Sequence, residues 1–177
     1  MDVCANEQYL VYSTLSPIVR LLDLETLCKK QEQINFNQSD NDDYHYFGGQ
    51  AIMSLKLSGD TREILAGTKG AAILVYDLIS NRVINRVQTT HSDEINSVCF
   101  ANRADSHIVF TGSDDSTVQV WDRRALGSGT QGRAMGMFLG HTEGITNVTS
   151  KGDGVYLASN GKDQLLKIWD MRKMIPQ

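Results

Sequence analysis

Proline is scarce in this 177-residue chain: Pro17 and Pro176 are the only two, against fifteen glycines. Long apolar runs are missing too. The opening Met1-Asp2-Val3-Cys4 has no basic region followed by an apolar stretch, so neither a membrane span nor a secretory signal is predicted. The three cysteines, Cys4, Cys28 and Cys99, are odd in number and never spaced C-x-x-C. That excludes a disulfide framework and a zinc site, and predicts reduced thiols in an intracellular protein of the nucleus, the cytoplasm or both. Basic residues number 17 against 21 acidic ones, and the resulting net charge of −4 does not draw a chain towards a phosphate backbone; nucleic acid is not an expected partner. The four histidines, His45, His91, His107 and His141, are dispersed, so no metal cluster and no cofactor is expected.

What is present is an apolar fraction of 41%, enough for the core of one domain. β-Branched residues fall in short alternating runs separated by Gly, Asp, Asn and Ser, which predicts brief strands and tight turns, hence an all-β chain. Internal repetition is the next thing to test. The stretch from His91 to Asp122, ending Val118-Gln-Val-Trp-Asp122, aligns with the stretch from His141 to Asp170, ending Leu166-Lys-Ile-Trp-Asp170. The second copy begins 50 residues after the first, and the Trp-Asp pairs stand 48 apart. One four-stranded blade with a long loop has this period.

On these residues the chain resembles the WD-repeat β-propeller family. The resemblance implies one buried hydrogen-bond network per repeat, built from a His, a hydroxyl, an Asp and a Trp: His91, Thr111, Asp115 and Trp121 in the first copy, His141, Ser159, Asp163 and Trp169 in the second. The chemistry is coherent. A buried indole N–H needs an acceptor, the hydroxyl supplies it while donating to the imidazole, and the carboxylate fixes the imidazole tautomer. Ile64 to Asp77 reads as a third copy that has lost this network, with Ala66 in the hydroxyl position, Gly70 in the Asp position and Tyr76 in the Trp position. Tyr9 to Asp23 reads as the second and third strands of a fourth unit whose first strand would precede Met1.

The domain reading is therefore one partial WD-repeat propeller of about three to four blades over 1–177. It comprises an incomplete degenerate blade (1–30), an acidic loop insertion (31–49), a degenerate blade (50–88) and two WD repeats (89–140 and 141–174). Within it, 126–133 reads as a flexible connection and Ala134 to Leu139 as an outer strand. A seven-bladed ring needs roughly 300 residues, so this chain supplies an arc: part of a longer protein, or a unit that assembles from several copies.

After each Trp-Asp pair an arginine occupies the second following position, Arg124 in Trp121-Asp-Arg-Arg124 and Arg172 in Trp169-Asp-Met-Arg172. This tandem W-D-x-R pattern resembles the substrate receptors of cullin-4 RING ubiquitin ligases. Asn160-Gly-Lys-Asp-Gln164 followed by Ile168-Trp-Asp-Met-Arg-Lys-Met174 resembles one group among them, that of WD repeat-containing protein 23, or cullin-4-associated factor 11. The resemblance implies docking on the adaptor damaged-DNA-binding protein 1 through Arg124 and Arg172, supported by Asp122 and Asp170, with protein substrates presented for ubiquitination on other subunits. A guanidinium offers several fixed donors, which suits such an anchor. The bland alternative is that each arginine pairs with its own Asp and caps a turn in a generic interaction scaffold.

Other constellations are set aside. Ser, His and Asp recur with Trp at fixed spacing in both repeats, which marks a structural network rather than a hydrolytic triad; no enzyme is expected. Gly127-Ser-Gly-Thr-Gln-Gly132 matches G-x-G-x-x-G without a βαβ context. Asp40, Asp42 and Asp43 lack the Gly and Glu spacing of a calcium loop. The sequons at Asn37 and Asn147 need a secretory route that is not visible. Arg123, Arg124, Arg172 and Lys173 are the one basic concentration tied to a repeated position, and Asp93, Glu94 and Glu143 are loop positions placed to line a propeller face.

Overall fold

Strand formation follows the alternation read above, and the chain is all-β. The computed structural model describes residues 1–4, 7–25, 31–36, 51–102, 104–125 and 132–177. Among the described residues sixteen strands form four antiparallel sheets, the blades of a propeller arc. Blade 1 holds β1 (Asp2–Val3), β2 (Tyr9–Ser13), β3 (Ile18–Asp23) and β4 (Glu32–Asn35); blade 2 holds β5 (Ile52–Leu57), β6 (Glu63–Thr68), β7 (Ala72–Asp77) and β8 (Arg82–Gln88). Blade 3 holds β9 (Ile95–Phe100), β10 (Ile108–Ser113), β11 (Val118–Asp122) and β12 (Gly136–Phe138). Blade 4 has three strands, β13 (Ile145–Ser150), β14 (Tyr156–Gly161) and β15 (Leu166–Asp170). The last strand, β16 (Ile175–Pro176), returns to pair with β12, making blade 3 five-stranded.

Two expectations need adjustment. The innermost strand of blade 1 lies within the chain, because Asp2 and Val3 pair with Val11 and Leu10. The stretch read as an acidic loop from residue 31 begins as strand: Glu32–Asn35 pairs with β3 and buries Ile34, with Phe36 packed just behind it. Outer strands bury only one face, so a polar E-Q-I-N run suffices there. Residues 37–50, with Asp40, Asp42, Asp43 and His45, lie outside the described residues, as do 126–131 of the glycine-rich connection.

The core sits between blades. Val11 and Val19 of blade 1 pack with Leu55, Ile64 and Tyr76 of blade 2. Leu65, Ile73 and Val75 of blade 2 pack with Val98, Val109 and Trp121 of blade 3. Phe110, Val118 and Val120 of blade 3 pack with Ile145, Val148 and Leu157 of blade 4. Each central strand thus sends alternate residues to opposite neighbours, as its period of two requires. The face that blade 4 turns away from blade 3 carries Leu166 and Ile168 at the positions of Val118 and Val120, and they are 69% and 73% exposed.

The blades approach so closely that side-chain size is fixed at the junctions. A Cβ on Gly67 would lie 2.7 Å from Ile95 and Val98 side chains, and one on Gly112 would lie 2.5 Å from Val148 and 2.7 Å from Ile145. Gly67 and Gly112 hold equivalent places on β6 and β10; blade 4 has Asn160 there, on its exposed face. The inner strands are laced by hydrogen bonds: the Val98 N–H donates to Ser54 Oγ (3.2 Å) and the Val148 N–H to Ser97 Oγ (3.0 Å). In β5, β9 and β13 the register skips the second residue, Met53, Asn96 and Thr146, an equivalent bulge in three consecutive blades.

Candidate functional site

Each repeat has chemistry at both ends of its third strand. At the start of β11 lies the turn carrying Asp115; at its end lies Trp121-Asp122 and the 3-10 turn Arg123–Ala125. The turn network is complete. Trp121 Nε1 donates to Thr111 Oγ1 (2.9 Å), Thr111 Oγ1 and His91 Nε2 are 2.7 Å apart, and His91 Nδ1 is 2.7 Å from Asp115 Oδ2. A carboxylate only accepts, so Nδ1 carries the proton and Nε2 accepts from the threonine hydroxyl. Burial pushes the Asp115 carboxyl up, but the hydrogen bond from His91 and the electrostatic attraction to its ring, with bonds from Thr117, outweigh it and hold it at about 2.

Blade 4 repeats the arrangement. Trp169 Nε1 donates to Ser159 Oγ (2.7 Å), which is 2.8 Å from His141 Nε2, and His141 Nδ1 is 2.8 Å from Asp163 Oδ2. The structure brings together all eight residues singled out for these networks, four in each blade. In blade 2 the Tyr76 ring, 5.1 Å from that of Phe36, and Ala66 sit instead in the apolar cluster shared with blade 1. The turns of all three blades keep one shape, with Ala71, Ser116 and Gln164 at φ of 56°, 67° and 62°. Every histidine, hydroxyl and carboxylate of the two networks is committed to its neighbours. The buried Cys99 of blade 3 has its thiol pushed up to about 12 by burial.

The opposite end of the strand carries the W-D-x-R corner. Arg124 Nε donates to Asp122 Oδ1 (3.0 Å) and its Nη2 to Oδ2 (2.8 Å), while Asp122 Oδ1 also takes the Arg124 backbone N–H (3.0 Å). Arg172 forms the same fork with Asp170, at 2.8 and 2.7 Å, and its backbone N–H donates to Oδ1 at 3.0 Å. The aspartate therefore caps the 3-10 turn and grips the guanidinium at once. This grip holds the Asp122 and Asp170 carboxyls below their ordinary range and raises both arginines. Both arginine side chains remain 65% exposed. The two corners lie on adjacent blades at equivalent positions.

The basic residues read as one concentration are divided by the structure. Arg123, next to Arg124 in sequence, turns inward and is 10% exposed. Its Nη1 donates to Glu63 Oε2 of blade 2 (2.7 Å) and to the Ser106 carbonyl (3.1 Å). The equivalent of Arg123 in blade 4, Met171, packs with Ile108 against the core shared by blades 3 and 4. In blade 2 the equivalent is Leu78, which packs with Tyr9 against the core shared with blade 1. The x of W-D-x-R is thus a junction residue, turned towards the preceding blade. The sequence offers this signal only once Glu63, Ile108 and Tyr156 are recognised as one repeat position. At the turn end, Glu94 pairs with Lys69 (3.6 Å), while Asp93 and Glu143 are exposed.

Comparison with known proteins places these features in context. The family model described as "WD domain, G-beta repeat" matches residues 83–122 and 132–170. The chain is 38% identical to a protein named LEC14B from Lithospermum erythrorhizon, over 96% of this chain and 36% of that protein. It is 41% identical, over 70% of this chain, to the Caenorhabditis elegans homolog of DDB1- and CUL4-associated factor 11, covering 21% of it. A chain in the crystal structure of a mitotic checkpoint complex superposes with a TM-score of 0.76 at 19% identity, over 99% of this chain and 47% of that one, a likeness of fold. The chain spans about a third of the length of the LEC14B relatives it matches.

Proposed function

Because the chain belongs to the WD-repeat family, in the group that includes homologs of DDB1- and CUL4-associated factor 11, we propose that it is a non-catalytic substrate-receptor element of a cullin-4 ubiquitin ligase. In this reading Arg124 and Arg172 dock on the adaptor damaged-DNA-binding protein 1. Asp122 and Asp170 hold the two guanidinium groups in register, and the protein works inside the cell. One observation carries the reading: two W-D-x-R corners of the same geometry stand on adjacent blades, each with a fixed and exposed guanidinium. A long side chain immobilised before binding loses little rotamer freedom on docking, which is what an interface anchor requires. Protein targets are then held on other loops, and ubiquitin chemistry proceeds on other subunits.

The competing reading, a WD-repeat scaffold unconnected with ubiquitination, draws on the same corners, since each aspartate already occupies two guanidinium donors and caps a turn. A pull-down with purified damaged-DNA-binding protein 1 separates the two. The parent chain is expected to retain the adaptor and the Arg124→Ala/Arg172→Ala variant to lose it, with circular dichroism showing both folded. Equal retention by the two proteins would favour the generic scaffold.

A further inference from the structure

The two W-D-x-R corners differ in one respect that the repeat pattern hides. Arg172 Nη2 also donates to the Tyr156 hydroxyl (3.2 Å), and its guanidinium carbon lies 5.8 Å from the Tyr156 ring centroid. Tyr156 pairs directly with Asp170 in the β14–β15 ladder, which places its side chain beside the corner. From the ring's other neighbourhood the Lys151 ammonium approaches to 5.1 Å, itself held by Asp153 at 2.9 Å. Asp153 in turn accepts the backbone N–H groups of Tyr156 and Val155 (2.9 Å each). Blade 3 has no counterpart, because Ile108 pairs with Asp122 there and packs into the junction with blade 4.

Resting on the receptor reading above, we propose that Tyr156 is the positioning residue of the docking surface. It fixes Arg172 and makes the blade 4 corner the principal adaptor contact. A guanidinium has five N–H donors. At Arg124 two of them are engaged by Asp122, one fewer than at Arg172. At Arg172 the Nη2 group is fully engaged by Asp170 and Tyr156, so the Nη1 pair is left pointing in one direction. The Tyr156 hydroxyl accepts from Arg172 and keeps its own proton to donate. Lys151 and Arg172 are each paired with an aspartate, Asp153 and Asp170, and the exposed Lys173 stands next to Arg172, so the surface presents directed donors. Such a surface fits a partner segment that offers carbonyl or carboxamide oxygens.

The test uses the full chain and the variants Tyr156→Phe, Arg172→Ala and Arg124→Ala. Tyr156→Phe keeps the ring and removes the hydroxyl, so the blade stays folded. In the free protein, NMR exchange of the Arg172 Nε–H with water is expected to quicken several-fold in Tyr156→Phe while that of Arg124 is unchanged; equal rates in parent and variant overturn the proposal. This readout does not need the adaptor. With the adaptor, Tyr156→Phe is expected to weaken binding roughly 3- to 10-fold, as loss of one hydrogen bond does. Its effect should vanish in an Arg172→Ala background and persist in an Arg124→Ala background. Equal effects in both backgrounds overturn the proposal, whereas absence of adaptor binding by the folded parent defeats the receptor reading and leaves the positioning role to the exchange rates.

Discussion

Arg123 and Glu63 meet across the junction of blades 2 and 3 at 2.7 Å, although 60 residues separate them in sequence. Arg124, the adjacent residue, bonds only its own Asp122 among the described residues and faces solvent. Two neighbouring arginines thus act on different levels, one on assembly of the arc and the other on its surface. Arg123→Ala leaves the Glu63 carboxylate, 22% exposed, without its partner and opens the junction; about 1–3 kcal/mol of stability should be lost. Arg124→Ala should change stability by no more than about 0.5 kcal/mol. Urea unfolding of the two variants beside the parent decides the matter, and equal destabilisation would contradict the division of roles.

The two tryptophan networks should differ in weight. Trp121 is fully buried, and its acceptor Thr111 lies between blades 2 and 3, whereas Trp169 is half-buried on the terminal blade. Removing a hydroxyl leaves an indole N–H and an imidazole unpaired, and the cost grows as water is excluded. Thr111→Val is therefore expected to cost about 2–4 kcal/mol and Ser159→Ala about 1–2 kcal/mol. Chemical denaturation followed by tryptophan fluorescence measures both. A larger loss from Ser159→Ala would mean that burial does not set the scale.

The repeat register was legible because hydrogen-bond demand fixes it. An indole ten residues after a hydroxyl and six after an Asp can satisfy its N–H in one way, and the structure places both networks on that spacing. The outer strand β12 was legible for a similar reason, since Gly136 and Phe138 are buried and Met137 half-buried. By contrast, β4 carries one buried residue, Ile34, in an otherwise polar run, and a strand that buries so little looks like a loop. The return of β16 to β12 depends on a slot formed by Gly136, whose hydrogen Met174 and the Ile175 carbonyl approach closely, and no local pattern announces it. Nor does Trp-Asp-Arg-Arg say which arginine turns inward. The inward one is received by Glu63, a residue on another blade.

Close approach at the junctions makes size changes costly. Gly112→Ala puts a methyl against Ile145 and Val148, side chains of a neighbouring inner strand that is itself laced to β9 by Ser97. The strand cannot retreat without breaking that bond, so about 1–3 kcal/mol should be lost, and more for Gly112→Val. Asn160→Ala, at the equivalent position on the exposed face of blade 4, removes only the bond to Thr146 Oγ1 (2.7 Å) and should cost less than about 1 kcal/mol. Thermal unfolding of the three variants tests the contrast; a harmless Gly112→Val would show that the blades can separate freely.

Acid should loosen the arc through Asp115. Its carboxyl is held at about 2 in the folded chain, against an ordinary value of 3.8. Between these values the unfolded chain binds a proton that the folded chain does not, so stability falls as pH drops from about 4 towards 2, and the full contribution is present above that window. After allowance for partial exposure to solvent, Asp115 contributes about 1–2 kcal/mol. The Asp163 carboxyl is also lowered, burial opposing and the His141 bond outweighing it, so blade 4 responds in the same direction. Asp115→Asn should reduce stability at neutral pH by weakening the hold on His91. It should also flatten the dependence of unfolding free energy on pH between 4 and 2, because the titrating group is gone while the other aspartates remain. Urea titrations at pH 6, 4, 3 and 2 measure both quantities. A variant slope as steep as the parent's would place the acid sensitivity elsewhere and show that the His91–Asp115 bond does not favour the ionised carboxylate.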